Sequence, residues 1–443
     1  MAAPADKFSR LAALRPTRPQ THRPPPLREP SEEDTLARLL GAGVSKNGFG
    51  EHLAVRNWFS TPEHTIPTPL ALDVLSRTRD ESLSRRTRAA LSDPEKWLFL
   101  DTETTGLAGG TGTYAFLIGL AWWDAGGLQV EQLFMRDFGE EHSILCELAA
   151  RIAERPVLVT FNGKTFDWPL LQSRFTMTRS IPVPKIAAHL DLLHPARALW
   201  KLRLGSVRLV ELERHVLDPA RLGWHREDDV ISSLIPQYYF DYLRGGPPEP
   251  LTGIARHNQL DLRGLAALYG KIDGLLAAQA GVHEEADSRD LFGLSKFLRR
   301  KGEPERAHSA CAQALDFGLP AEFRPRAQRE LAQLAKQKGE HARAAELWQE
   351  IVSDPQDGAH ACEQLAIYYE RRAKDLSRAV EFAKLALINL RRARVQSRDR
   401  TAGANIASAE QKFMKRITRL QLRMNGSKKS SSEISMDEPS FLS

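Results

Sequence analysis

The apolar run Leu98-Phe-Leu100 ends in Asp101-Thr-Glu103, two carboxylates separated by one residue. Side chains at i and i+2 of a strand leave the same face, about 7 Å apart along the chain, so this pair points at one place. Paired carboxylates at a strand end suit a hard divalent cation, which takes oxygen ligands. Asp167 closes the string Phe161-Asn-Gly-Lys164-Thr-Phe166-Asp167 at a strand-to-helix junction. There it reads either as a further ligand or as an acid of the first helical turn. His257 and Asp261 stand four apart on a helical pattern, which sets an imidazole beside a carboxylate. Alone, that spacing is an ordinary surface pair; the company of the other acids gives it weight.

These residue types suit phosphodiester hydrolysis. Two cations about 3.5–4 Å apart deprotonate a water and stabilise charge on the leaving oxygen. Clustered carboxylates repel one another when empty, so such a site is incomplete without metal, here two Mg²⁺ or Mn²⁺. A histidine titrating near neutrality accepts the proton at working pH. Thr104, Asn162, Lys164 and Phe166 are the expected substrate contacts. Arg174, Lys201, Arg203 and Trp168 extend them into a basic and aromatic rim that holds phosphates and stacks bases.

Neighbouring motifs carry less. Asn162-Gly-Lys164-Thr165 ends like a phosphate-binding P-loop, but position 158, where that motif needs glycine, is Leu158 inside a strand. Gly109-Gly-Thr-Gly112 reads as a turn flexible enough to approach a phosphate backbone. Asp191 and Asp228-Asp229 read as strand-end or loop acids, with spare metal ligation as the alternative.

The elements that position these residues follow from apolar patterning. Strand-length runs at Trp97–Leu100, Tyr114–Trp123 and Leu128–Met135, with short connections, predict an antiparallel meander. Helical spacing over Glu140–Glu154, a strand at Val157–Phe161 and a helix from Trp168 to Phe175 follow. After a Pro/Gly hinge at Gly245–Pro250, a helix carrying His257 and Asp261 runs to about Gln279. The predicted class is α/β: a mixed sheet flanked by helices, over residues 96–280, followed by an all-α repeat domain over 287–423. In the second part Gly302-Glu-Pro-Glu-Arg-Ala307 returns as Gly339-Glu-His-Ala-Arg-Ala344, with a weaker echo at Leu376-Ser-Arg-Ala379. Spacings of 37 and 35 residues, with helix, turn and helix, resemble tetratricopeptide repeats and point to a binding surface for a protein partner.

Residues 1–45, with seven prolines and six Lys or Arg in the first 30, read as a disordered basic tail, with an organellar transit peptide as the alternative. Residues 46–95 read as an extension, and 424–443 as a disordered Ser-rich tail. From Arg391 to Arg423, ten basic residues face Asp399 and Glu410, a local charge of 10 − 2 = +8 against +6 for all 443 residues. That stretch is either a solvated helix face or a phosphate-contacting surface. No apolar run approaches the ~20 residues of a membrane span. Cys146, Cys311 and Cys362 are too scattered for a disulfide framework, which predicts a reducing, cytoplasmic compartment.

The order Asp101, Glu103, Asp167, Asp261, with a histidine just before the last acid, resembles the DEDD group of the ribonuclease H-like superfamily, the 3′-to-5′ exonucleases. The resemblance implies that the four acids bind two divalent cations, Asp101 bridging both, and that His257 is the general base. In the His-type members the base usually stands five residues before the last acid; here the gap is four, the spacing of the Tyr-type members. A wider resemblance rests on Gly50-Glu-His-Leu-Ala-Val-Arg56, Asp101 through Tyr114, Asp191-Leu-Leu-His-Pro-Ala-Arg197 and His257-Asn258. These strings are similar to bacterial YprB-type ribonuclease H-like proteins, several of which carry tetratricopeptide tails. The expected function is therefore a metal-dependent nuclease, a 3′-to-5′ exonuclease on single-stranded DNA or RNA. The alternatives are a catalytically silent scaffold and a structure-specific endonuclease.

Overall fold

The computed structural model describes residues 34–60, 69–76, 84–106, 112–124, 126–217, 223, 224, 226, 228–278, 286–396 and 400–434. They form two compact units, one comprising the chain up to Arg197 together with Ser206–Ala277, the other Ala198–Gly205 together with the chain from Ala278 onward.

The first unit opens with helix α1 (Thr35–Leu40), capped by the Asp34 carboxylate, which accepts from Ala37 N. Strands β1 (Gly43–Asn47) and β2 (Gly50–Phe59) follow as a hairpin. Helices α2 (Pro69–Ser76) and α3 (Arg85–Leu91) lead to β3 (Trp97–Thr104), β4 (Ala115–Asp124) and β5 (Gly127–Phe134). Then come α4 (Glu141–Glu154), β6 (Val157–Thr160), α5 (Asp167–Thr178), β7 (Ala188–Asp191), α6 (Leu193–Leu204), α7 (Leu209–His215), α8 (Ile235–Leu243) and α9 (Glu249–Ala277). One seven-stranded sheet holds the unit together in the order β1-β2-β5-β4-β3-β6-β7. The β1-to-β3 side is antiparallel, while β3, β6 and β7 run parallel. This is the mixed sheet flanked by helices that the sequence predicts, with each meander strand within a residue or two of its expected start.

Two expected boundaries move. Residue 45 lies inside β1, and β2 pairs with β5 from Leu53↔Phe134 to Phe59↔Leu128, so the strands within 43–59 belong to the sheet rather than to a tail and a separate extension. The local signal was Asn47-Gly48, a hairpin dipeptide, with the Asn47 Oδ1 accepting from Phe49 N. Residues 1–33 and the glycine string 107–111 lie outside the described residues.

The second unit contains α10 (Ser288–Arg300), α11 (Pro304–Asp316), α12 (Arg324–Gln337), α13 (His341–Gln349), α14 (Gly358–Arg371), α15 (Leu376–Gln396) and α16 (Arg400–Ile434). The three sequence echoes mark three equivalent turns, α10 to α11, α12 to α13 and α14 to α15. Gly302 and Gly339 take left-handed φ values of 79° and 85°, and Lys374 takes 58° at the third turn, where no glycine stands. Ala307, Ala344 and Ala379, the last residue of each echo, are all fully buried. Small side chains there let paired helices approach closely. The expected tail boundary at 424 also moves, since α16, anchored by buried Phe413 and Leu420, continues to Ile434. Arg419 and Arg423 of the basic stretch are ion-paired with the buried Glu370, which withdraws them from a free phosphate-contacting face.

Candidate active site

Alternation along β3 puts Trp97, Phe99, Asp101 and Glu103 on one face. Helix α9 covers that face: the Tyr269 ring meets Trp97 edge-on at 4.7 Å, and the Asn258 amide donates to Asp101 Oδ2 at 2.8 Å. Asn258 is itself fixed, because the Gln132 amide donates to its Oδ1 at 2.9 Å. Gly119, opposite Asp101 in β4, makes room for this, since a Cβ there would collide with the Asn258 amide. The apolar half of β3 thus docks α9, and the docking delivers His257, Asn258 and Asp261 to the strand end.

His257 Nε2 lies 3.7 Å from Asp261 Oδ2 and 4.0 Å from Glu103 Oε1. Asp167 is the first residue of α5, where it accepts from the Thr102 hydroxyl at 2.5 Å. The five expected residues therefore converge at the carboxyl ends of the parallel strands β3 and β6, the position where open α/β sheets carry their sites.

The loop from β6 to α5 is held by Asp191 at the end of β7, which accepts from Asn162 N, Lys164 N and Leu193 N. This is the strand-end role. Asn162 sits at φ 69°, and the loop presents an exposed Lys164 and a 57% exposed Phe166 immediately before Asp167. The Thr104 hydroxyl donates to Gly106 O, closing a turn. Part of the wider rim is corrected. Arg174 is buried in a bidentate pair with Glu141 beneath the Tyr114 ring, Trp168 is buried, and Arg203 is paired with Asp290 in the second unit.

Arg226 and Glu213 were missed, and Asp229, read as a loop acid or spare metal ligand, takes another role. Asp229 Oδ1 lies 2.8 Å from His257 Nδ1, so it is a histidine partner rather than a plain loop acid, while Asp228 stays exposed. Arg226 makes a bidentate pair with Glu213 of α7, a second contact to Asp229 at 3.0 Å, and lies 2.6 Å from Asp261 Oδ1. That last approach is short but lacks hydrogen-bond alignment, so Asp261 Oδ1 remains a buried oxygen without a well-directed donor. Gly264 in α9 admits Glu213, whose carboxylate occupies the space of a Cβ. Nothing local in the sequence marked Glu213, because α7 carries Glu211, Arg214 and His215 beside it and only the fold buries this one acid.

The electrostatics reflect crowding of like charges. Burial, then the charges of Asp261, Asp167 and Glu103, push the Asp101 carboxyl well above its usual range, against the Asn258 bond. Burial raises Glu103 to about 8 despite His257, with Asp261 and Asp167 adding to the rise. Burial likewise raises Asp167 against its Thr102 bond. Burial by itself would lower His257, but the Asp229 bond and the charges of Asp261 and Glu103 outweigh it and lift the ring to about 9. Among the described residues, no three His, Cys, Asp or Glu side chains already converge tightly enough to enclose a cation. The donor set nevertheless fits a hard divalent ion: four carboxylates, of which Asp101, Glu103 and Asp167 are held from ionising chiefly by burial, and one oxygen on Asp261 lacking a directed donor.

Residues 98–273, which run from β3 through most of α9, match the model of the RNase_H superfamily. The mixed sheet from β3 to β7 and the helix carrying His257 and Asp261 thus have the ribonuclease H-like arrangement, a mixed sheet flanked by helices. The chain is 28% identical over 319 residues to a Bacillus subtilis (strain 168) protein called "Uncharacterized protein YprB", covering 71% of this chain and 75% of that one. A solved structure, the family B DNA polymerase of Pyrobaculum calidifontis, aligns at 15% identity and a TM-score of 0.31, over 46% of this chain and 29% of the polymerase. No helix among the described residues is long and apolar enough to cross a membrane.

Proposed function

We propose that this chain is a metal-dependent 3′-to-5′ exonuclease acting on single-stranded nucleic acid, its helical repeat unit serving to engage substrate or a protein partner. The observation that carries the reading is the gathering of Asp101, Glu103, Asp167 and Asp261 at one strand end, with His257 beside Glu103 and Asp261. Two divalent cations, Mg²⁺ or Mn²⁺, supply the activated water and neutralise the leaving oxygen when bound. Asp101, Glu103, Asp167 and Asp261 are the oxygen ligands, and Asn258 aims the Asp101 carboxylate. His257 takes the water proton at Nε2, because Asp229 engages Nδ1. Thr104, Asn162, Lys164 and Phe166 border the place where a phosphate and its base lie, Phe166 as a stacking surface.

One observation favours a second reading, a catalytically silent scaffold: the Arg226 guanidinium already stands against Asp261. Digestion of 5′-labelled single-stranded DNA and RNA, with Mg²⁺ or Mn²⁺, separates the two. The exonuclease yields a one-nucleotide ladder that Asp101→Ala and His257→Ala eliminate. Discrete internal cuts identify an endonuclease, and intact substrate with no metal binding identifies the scaffold.

A further inference from the structure

Helices α12, α13 and α14 enclose a cleft of about 170 Å³ whose wall includes Lys336, Trp348, Tyr368, Arg371 and Arg372. It is continuous with a shallower depression that shares His341, Tyr368 and Arg372. No acid lines the inner cleft, and Glu340 is the acid at the outer one.

The wall is rich in cationic donors and carries no carboxylate. Arg371, the last residue of α14, and Arg372 after it are exposed, and among the described residues neither guanidinium has a carboxylate partner. That contrasts with Arg419 and Arg423, both tied to Glu370. Lys336 donates to Gln364 Oε1 at 2.8 Å, with its ammonium 5.9 Å from the centre of the Trp348 ring. Trp348 is 2% exposed, and its indole N–H is buried with no hydrogen-bond partner. Buried donors in native proteins are nearly always paired, so an unpaired one at a cleft wall marks a place for an incoming acceptor. Tyr368 is half-buried between these groups, its ring edge-on to Tyr369.

A ligand for this wall must bring anionic oxygens and a flat ring at short spacing. A carboxylate-bearing peptide would use the cations alone, whereas a nucleotide uses the cations for its phosphate and the aromatic side chains for its base. We infer that the cleft binds a nucleotide unit of single-stranded nucleic acid, phosphate against Arg371 and Arg372 and base against Tyr368. The choice of nucleic acid rests on the nuclease reading above; the anion-binding character of the cleft does not.

The test is fluorescence anisotropy of a fluorescein-labelled oligothymidylate with the full chain in EDTA, where no cleavage occurs, over a salt series. Arg371→Gln/Arg372→Gln is expected to weaken binding about tenfold or more and to flatten the log affinity against log salt slope by about 0.7, the value for one phosphate no longer neutralised. Tyr368→Leu should weaken binding without changing that slope. Lys412→Gln/Lys415→Gln, on the exposed face of α16, should bind like wild type. Circular dichroism melts verify that each variant is folded. Unchanged binding by the arginine variant, or equal loss in the lysine variant, overturns the cleft as the site. Displacement of the oligonucleotide by an equal concentration of a polyglutamate peptide overturns the nucleotide and identifies an acidic protein segment. Cleavage with Mg²⁺, scored separately, keeps the two readings apart. Cleavage with arginine-independent binding sinks the cleft alone, and arginine-dependent binding without cleavage sinks the nuclease while the cleft stands.

Discussion

The Asp229 carboxylate stands 2.8 Å from His257 Nδ1, which leaves Nε2 as the ring nitrogen turned towards Glu103 and Asp261. This contact holds the ring in one orientation and raises its affinity for a proton. A ring titrating near 9 is protonated at pH 7 and cannot act as a base. Bound cations oppose that charge and lower its pKa. The His257 resonance should therefore titrate near 9 in EDTA and well below 9 with Mg²⁺, as followed by NMR. Titration near 6.5 in both conditions would sink the dyad. Asp229→Asn should lower the metal-free value and slow cleavage at neutral pH by about 10–100-fold, the usual effect of removing an orienting partner.

Repulsion among the acids makes a prediction for the metal-free protein. The Glu103 carboxyl rises from 4.5 when unfolded to about 8 when folded, so between those values the folded state holds more protons. Stability then falls as pH rises through that window, and the penalty is complete above pH 8. In EDTA, Glu103→Gln should match wild type below pH 4.5 and exceed it by more than ~1 kcal/mol at pH 9. Mg²⁺ should reverse the order, since only wild type offers the full ligand set. Thermal melts from pH 4 to 9 check both, and a variant that is less stable at pH 9 in EDTA contradicts the crowding account.

Asn258 joins the sheet to the site. Asn258→Ala leaves Asp101 without its side-chain N–H donor and Gln132 with Ala255 O as its remaining acceptor, at a cost of about 1–3 kcal/mol. Gly119→Ala should do the same damage by another route, because its Cβ takes the place of the amide. Denaturant unfolding of the two single variants and the double variant should show a strongly sub-additive loss. Additive losses would mean that the two positions do not act through one contact.

Away from the site, Glu131 of β5 is fully buried between Arg151, bidentate at 2.6 and 3.0 Å, and Arg56 at 2.6 Å. Burial by itself would raise its carboxyl, but the arginine bonds and charges hold it below its usual value. A depressed carboxylate contributes stability that is present above the unfolded pKa and lost as pH falls through the folded one. Arg151→Met should cost about 1–3 kcal/mol at pH 7 by leaving the buried Glu131 carboxylate with Arg56 as its remaining cation, and Glu131→Gln in the same chain should recover part of it. Failure of the second change to help would place the damage in packing around Trp122 instead.

The chain's local pattern by itself determined the meander, β6, the long helix α9 and the helical second unit, because apolar period, turn residues and element length act over a few residues. It also determined that Asp101 and Glu103 leave one face of β3, and that His257 and Asp261 lie one turn apart, since both follow from backbone geometry. The β1–β2 hairpin was signalled only by Asn47-Gly48, while its place in the sheet depends on pairing Leu53 with Phe134. Tertiary structure alone decided which charges meet: Arg226 with Glu213 and Asp261, Asp229 with His257, Asn258 with Asp101, and Arg174 with Glu141 rather than with substrate. Long side chains such as arginine reach any of several acids brought near by folding. Burial then selects the pair that leaves the least charge unmatched, a comparison that spacing along the chain does not contain.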